Sequence, residues 1–442
     1  MSDSKNVDAS PHRETARSGR PEKYKFISQG SIYRVKDFRL LFLGSAVSKF
    51  GAEISSVALP LIAVISLEAG AGQVGALAAM STVAFLLIGL PAGAWIDRMR
   101  RRPIMIVADL SRAALLFSIP FAWWIGILSL PWLFCVVFMC GVFSVLFDIS
   151  SQSFVPSVVN RDRLLEANSR LGVLDGFTSI AGPSVGGLLV QAIGAPLAVI
   201  ADAVSYLWSS MCISRIGKRE QVVERGERRH LVREVAEGVK FVWSQPVIRA
   251  LSLTGAITNL SYQIVIIMMP VLFLRHLGLT AGAVGLFLAC GGVGSLLGAL
   301  IARRAADAVG HGRILWIVDI ASIPLCLVLP LADSGLMLWV SCIAWTLIVS
   351  RNGMKNVIGV SFRQSLTPTH LLGRMSATMR VILFGALTVG AGIAGLVGSS
   401  VGVRSALWVG SAGLALTWVP ILLSPLRSMR SIPSSDPSGE HV

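Results

Sequence analysis

The chain alternates long runs of apolar residues with short polar bursts. Many runs approach or exceed 20 residues, about the length that carries an α-helix across a hydrocarbon layer of roughly 30 Å. Twelve windows fit: Phe38–Leu67, Val74–Ile96, Ile104–Ile127, Leu130–Ile149, Phe177–Ile193, Leu197–Ile213, Ala250–Leu274, Ala283–Ala302, Ile314–Leu331, Leu336–Val360, Met379–Val401 and Arg404–Leu423. Backbone groups in hydrocarbon need partners within their own segment, so each window is expected to be a helix. Pro91, Pro120, Pro183, Pro270 and Pro324 are expected to mark bends or breaks. The pattern predicts an all-α membrane protein with twelve crossings.

Composition agrees, and charge adds orientation. Of 442 residues, 54% are hydrophobic and 14% charged, where a soluble domain carries about a quarter charged. The net charge of +15 is unevenly placed. With an even number of spans, one side receives both tails, Arg98, Arg100, Arg101 and Arg102, the basic stretch after Arg215, and Arg303, Arg304 and Arg313. Only Arg275 and Arg404 edge the other side. Lys and Arg collect in cytoplasmic loops, so both termini are expected inside a bacterial plasma membrane. The charge then faces anionic lipid rather than nucleic acid. The first 36 residues lack the apolar core of a cleavable signal. The six cysteines all lie in apolar runs without a CxxC pair, which points to neither a metal site nor a disulfide framework.

These features divide the chain into a disordered tail (1–36), a first six-helix bundle (37–213), a basic linker (214–247), a second bundle (248–424) and a final tail (425–442). Within the linker, Leu231, Val235, Val239 and Val242 recur at helical spacing. They predict an amphipathic helix on the inner membrane face, the alternative being a solvated linker.

The two bundles carry an internal repeat. "DRMRRRPIMIVAD" from Asp97 parallels "DAVGHGRILWIVD" from Asp307, and "QSFVP" from Gln152 parallels "QSLTP" from Gln364, the last two read as loops after the fourth and tenth spans. Duplicated halves are a hallmark of secondary transporters, with substrate held between the halves near the membrane midplane.

Gly93, Asp97, Arg98, Arg101 and Arg102 resemble the loop signature of the major facilitator superfamily, with Arg100 where that family usually has glycine. "GPSVGG" (Gly182, Pro183, Gly186 and Gly187) resembles the G-P-x-x-G-G signature of its exporters. "ALPLIAV" after "GAEIS", and "FRQSLTPTHLLGRMSA", are similar to the branch containing the enterobactin and macrolide exporters. The resemblance covers nearly the whole chain outside the tails and implies the major facilitator fold. It also implies that Asp97 faces the start of the eleventh helix across the two halves, favoured there by about 0.3–1 kcal/mol as an acid at a helix N-terminus. Asp97, Arg98 and Arg101 would then latch the inner side shut, with Asp307 mirroring them near Asn168–Arg170. The alternative is that the arginines only set topology. Gly182 and Pro183 would bend the fifth span, and Gly186 and Gly187 would let a neighbour pack tightly, sealing against proton leak or simply packing.

Charges inside spans are costly and mark candidate functional sites. Lys49 and Glu53 lie one helical turn apart near the midplane. Burial and a nearby lysine act in opposite senses on a carboxyl proton, so Glu53 is read as the proton carrier tuned by Lys49. A permanent ion pair is the alternative. Asp109 and Arg112 read as structural, and Asp148, Asp175, Asp202 and Asp319 as span-end residues. Asn259, Tyr262 and Gln263 of the seventh span are candidate substrate contacts or helix–helix hydrogen bonders, and Asn352 of the tenth, beside Arg351 and Lys355, is a further candidate substrate contact. Arg351 and Lys355 would attract an anionic group or snorkel inward. The small-residue run Gly385–Ser400 permits close helix approach and reads as a sliding surface.

Together these readings predict no enzyme but a proton-coupled antiporter. It would act as a monomer without cofactor or metal, exporting a small amphipathic or lipophilic compound by alternating access. No GxxxxGK[ST] motif occurs, which excludes a P-loop for ATP. An importing facilitator or symporter on the same fold is the nearest rival, and a lipid-linked transferase a more distant one.

Overall fold

The computed structural model describes residues 32–96, 99–159, 163–217, 231–368 and 371–431. Among these, twelve helical segments are long and apolar enough to cross a membrane. The first half holds α1 (Lys36–Leu61), α2 (Ala71–Ile96), α3 (Arg101–Trp124), α4 (Leu130–Val158), α5 (Leu164–Ile193) and α6 (Ala195–Ser214). A short helix, α7 (Leu231–Ser244), precedes the second half, which opens with α8 (Pro246–Val271) and α9 (Ala281–Val309). The ninth crossing is divided into α10 (Arg313–Ala321) and α11 (Ile323–Val328). Then come α12 (Leu336–Leu366), α13 (Leu372–Ser400) and a last crossing divided into α14 (Val403–Ala415) and α15 (Val419–Leu422).

Several helices outrun their apolar windows. α4 continues nine residues past Ile149, so "QSFVP" is helical and not a loop, and α5 begins thirteen residues before Phe177. A hydropathy window measures the hydrocarbon crossing, whereas a helix continues wherever its backbone bonds are met. Of the five prolines expected to bend or break helices, only Pro324 sits at a break; Pro91, Pro120, Pro183 and Pro270 lie inside continuous helices. Neighbouring helices, side chains and local π adjustments compensate for the lost backbone bond in such settings. Pro60 and Pro270 stand 210 residues apart, and each precedes a five-residue π-helical turn, Ile62–Ser66 and Leu272–His276. The repeat therefore extends into backbone geometry.

Packing differs at the two ends of the bundle. At the end away from residues 36 and 424, one apolar core joins both halves, with Leu61, Val190, Met268, Phe287 and Trp345 among its buried members. At the tail end the cores are separate. Phe38, Met105, Phe154 and Ile213 serve the first half, and Val247, Leu315, Phe362 and Ile421 the second. The halves are thus joined at one end and separately packed at the other.

Candidate functional site: the interface of the halves

Two helix crossings close the joined end, and both are built from glycine. A Cβ built at Gly75 of α2 would lie 2.5 Å from Gly395 Cα and 2.9 Å from the Ala391 carbonyl oxygen of α13. One built at Gly285 of α9 would lie 2.5 Å from the Pro183 carbonyl oxygen and 3.0 Å from Gly187 Cα of α5. Only glycine permits backbones to approach so closely. The crossings are related by the repeat, since Gly75 and Gly285 are 210 residues apart, and Gly187 and Gly395 are 208 apart. Further along α2 and α13, Thr388 donates to Thr82 at 2.9 Å, and the Phe85 and Phe384 rings stack at 3.9 Å. Nearer the tails, Arg380 donates to Gln152 at 3.1 Å.

The GPSVGG turn has two faces. Gly187 and the Pro183 carbonyl meet α9, as above. Gly182 and Gly186 meet α1: a Cβ at Gly182 would strike Glu53 Cβ at 2.3 Å, and one at Gly186 would come within 3.1 Å of Ile54 Cα. Glu53 is therefore one helix thickness from the crossing between the halves. The Lys49 ammonium does not pair with Glu53 one turn away; it forms an ion pair with Asp175 of α5, both side chains partly exposed. Asp175 lies eleven residues inside α5 rather than near a span end.

Buried charges fill the centre of each half. In the first, the Arg112 guanidinium pairs with the fully buried Asp109 and lies 4.0 Å from the Tyr206 ring centroid. Asp202, also buried, accepts a 3.1 Å hydrogen bond from Ser205 on α6. In the second half Asp319 is fully buried and meets two cations of α12, Lys355 at 2.5 Å and Arg351 at 3.4 Å. Asp109 and Asp319 occupy equivalent positions, 210 residues apart, but draw their partners from different helices.

Of the candidate substrate contacts, Asn259, Tyr262 and Asn352 line one cavity of about 460 Å³ between α8, α12 and α13; Gln263 is not among its lining residues. Tyr262 stacks on Trp345 at 5.2 Å. Asp97 and Arg98 lie outside the described residues. Arg101 donates to the Ser153 carbonyl at 3.0 Å within the first half. Asp307 is exposed and faces Arg303 and His311 of its own half, each at 3.9 Å, and Arg170 lies 5.8 Å over the Tyr33 ring. Asp307 and Arg170 thus each contact groups of their own half. Sequence spacing had not linked Lys49 to Asp175 or Lys355 to Asp319, because each pair joins helices distant in the chain.

Twelve crossings in two repeated bundles, joined at one end by matched glycine contacts, define a major facilitator transporter of small molecules and not an enzyme. Residues 27–441 match the transmembrane secretion effector family, and the chain belongs to it. It is 25% identical over 418 residues to the multidrug efflux pump Tap of Mycobacterium tuberculosis (strain ATCC 25618 / H37Rv), covering 90% of this chain and 96% of that one. To the enterobactin exporter EntS of Salmonella typhi it is 22% identical over 412 residues, covering 91% and 96%. The fold resembles a solved bacterial homologue of the iron transporter ferroportin in an inward-facing state. The TM-score is 0.72 at 17% identity, over 90% of this chain and 100% of that one. The chain is therefore a multi-pass membrane protein with bacterial relatives.

Proposed function

We propose that this transporter is a proton-coupled antiporter that exports a small amphipathic or lipophilic compound from a bacterial cell by alternating access. Each monomer carries both halves of the cleft. The excess of Lys and Arg at the tail end supports a cytoplasmic position for both termini. With that orientation, the joined end is periplasmic and the separately packed end opens inward. The similarity to an efflux pump and a siderophore exporter supports export of a drug-like or siderophore-like compound.

The observation that carries the reading is the contact of Glu53 with Gly182, inside the turn whose Pro183 carbonyl and Gly187 form the crossing to α9. A proton arriving on Glu53 changes charge one helix away from the seal. It shifts the conformational equilibrium only by its differential affinity for the two states. Lys49 and Asp175 set the field beside it, and Asn259, Tyr262 and Asn352 contact substrate. When the inner side shuts, Asp97 with Arg98 and Arg101 would form a latch, with Asp307 its mirror.

The test is transport of a panel of lipophilic compounds into inside-out proteoliposomes under an imposed pH gradient. Uptake that follows the gradient and collapses with a proton uncoupler supports the reading. Uptake indifferent to the gradient, or accumulation in the opposite direction, overturns it.

A further inference from the structure

The cavity beside α8 and α12 has an unusual charge balance. Lys355 and Arg363 line it, together with the amides of Asn259, Asn352 and Asn356, and no carboxylate is among its described lining residues. Asp319 of the same half sits behind Lys355 and is shared with Arg351. Arg351 is further held away from the cavity by bonds to Ser322 Oγ at 2.7 Å and the Leu414 carbonyl at 3.1 Å. One carboxylate thus faces two cations, which leaves the cluster with one surplus positive charge before Arg363 is counted. The acids Glu53 and Asp175 of the other half are likewise not among its lining residues, and Asp175 is paired with Lys49.

An unbalanced cation within a membrane span is costly and is retained where it meets a mobile counter-charge. The cavity, about 460 Å³, suits a small organic molecule, for which sites of roughly 300–1,000 Å³ are usual. Its walls supply apolar surface from Leu251, Leu383 and Met379 beside the polar groups. We propose that this cavity binds the anionic oxygen group of an amphipathic organic acid, with Lys355 as the counter-charge and the asparagine amides as orienting donors. The proposal rests on the export reading and narrows its substrate class to acids.

The test is equilibrium dialysis of radiolabelled naphthoate and its neutral isostere naphthamide against the full chain in phosphatidylcholine nanodiscs. Wild type is expected to bind the acid about ten-fold tighter or more, the factor that one charge-assisted hydrogen bond corresponds to. Lys355→Gln should abolish that preference, Lys355→Arg should retain it, and Arg363→Gln should weaken it. Lys355→Gln leaves Asp319 paired with Arg351, and its fold is checked by thermal unfolding. Equal binding of acid and amide by wild type overturns the proposal, as does a preference that survives both neutral variants. Inorganic phosphate competing as well as naphthoate would overturn it too. So would naphthoate affinity that falls when phosphatidylglycerol replaces part of the lipid, since the site would then belong to lipid headgroups. Binding is read without transport. A missing acid preference therefore leaves the export reading standing, and absent pH-driven flux with the preference intact sinks export alone.

Discussion

Substituting Gly75 by alanine should open the end of the bundle that is joined here. The new Cβ would sit 2.5 Å from Gly395 Cα, 2.6 Å from Gly395 N and 2.9 Å from the Ala391 carbonyl oxygen, where ordinary contact begins at 3.4 Å. All three obstacles are backbone, so no side-chain rotation relieves them, and α2 and α13 must separate. Overpacking of this kind costs about 1–3 kcal/mol. The clash exists only in the state that makes the crossing, so the whole penalty falls on one side of the conformational equilibrium. At about 1.4 kcal/mol per factor of ten, the population ratio shifts by roughly 5- to 150-fold. Electron–electron distance measurements between nitroxides at Gln73 and Ser400, in a cysteine-free background, would show a longer-distance population rising at Gly75→Ala. Gly285→Ala, its counterpart in the repeat, should do the same at the α5–α9 crossing. Gly172→Ala is the control, because its Cβ would meet nothing within 4 Å. An unchanged distance distribution in Gly75→Ala, or an equal shift in the control, refutes the reasoning.

Glu53→Gln should abolish accumulation driven by a pH gradient while substrate counterflow persists; retained gradient-driven accumulation would remove Glu53 from the coupling scheme. Gly182→Ala should lower the same flux through its clash with Glu53 Cβ, with the protein still inserted, and flux at the wild-type rate would contradict the contact. Lys49→Gln should leave thermal stability within about 1 kcal/mol, as expected for a partly exposed pair, yet reduce gradient-driven flux; a large loss of stability instead would mark the pair as structural. Arg112→Gln strands the buried Asp109, and breaking a buried pair costs about 3–5 kcal/mol. Its melting temperature should fall well below that of Lys355→Gln, where Asp319 keeps Arg351, and Asp109→Asn added to Arg112→Gln should restore much of the loss. Equal melting temperatures for Arg112→Gln and wild type would show that the pair is not a stabilising unit.

The crossings were legible because hydrocarbon thickness sets the length of an apolar run whatever the packing. The glycines of GPSVGG and of Gly385–Ser400 were legible as close-approach surfaces because small side chains have few other uses in a span. Which neighbour each glycine met was not, since that depends on how helices distant in sequence are arranged. The polar flanks misled most. A window that ended at Ile149 made "QSFVP" a loop, and a window that began at Phe177 left Asp175 at a span end. Hydropathy stops where lipid stops, but α4 and α5 run on beyond it. The same limit hid the partner of Lys49. A rule based on one helical turn offers Glu53, whereas the ammonium reaches across to α5. For Lys355, snorkelling was a reasonable reading of a cation near a helix end, and the buried Asp319 opposite it could be found only from the packing.

The repeat keeps the packing and abandons the charge. Lys49 and Glu53 of α1 correspond, 210 residues on, to Asn259 and Gln263 of α8. Each pair has one helical turn between its members, but only the first pair ionises. The glycines that bring α2 to α13 and α9 to α5 are instead present in both halves. A rocking interface needs matched surfaces on both sides, because each crossing must form and separate together with its mirror. Proton binding and substrate recognition need no such match, and they interfere less when placed on different helices. The Asn259 amide of α8 lines a cavity whose cations come from α12, while the acid of α1 rests on the turn that seals the opposite crossing. Placing an acid on the cavity wall itself, by Asn259→Asp, should therefore leave both crossings formed. Naphthoate affinity should fall below that of wild type in the dialysis assay, whereas unchanged affinity would mean that the two roles are not divided between the halves.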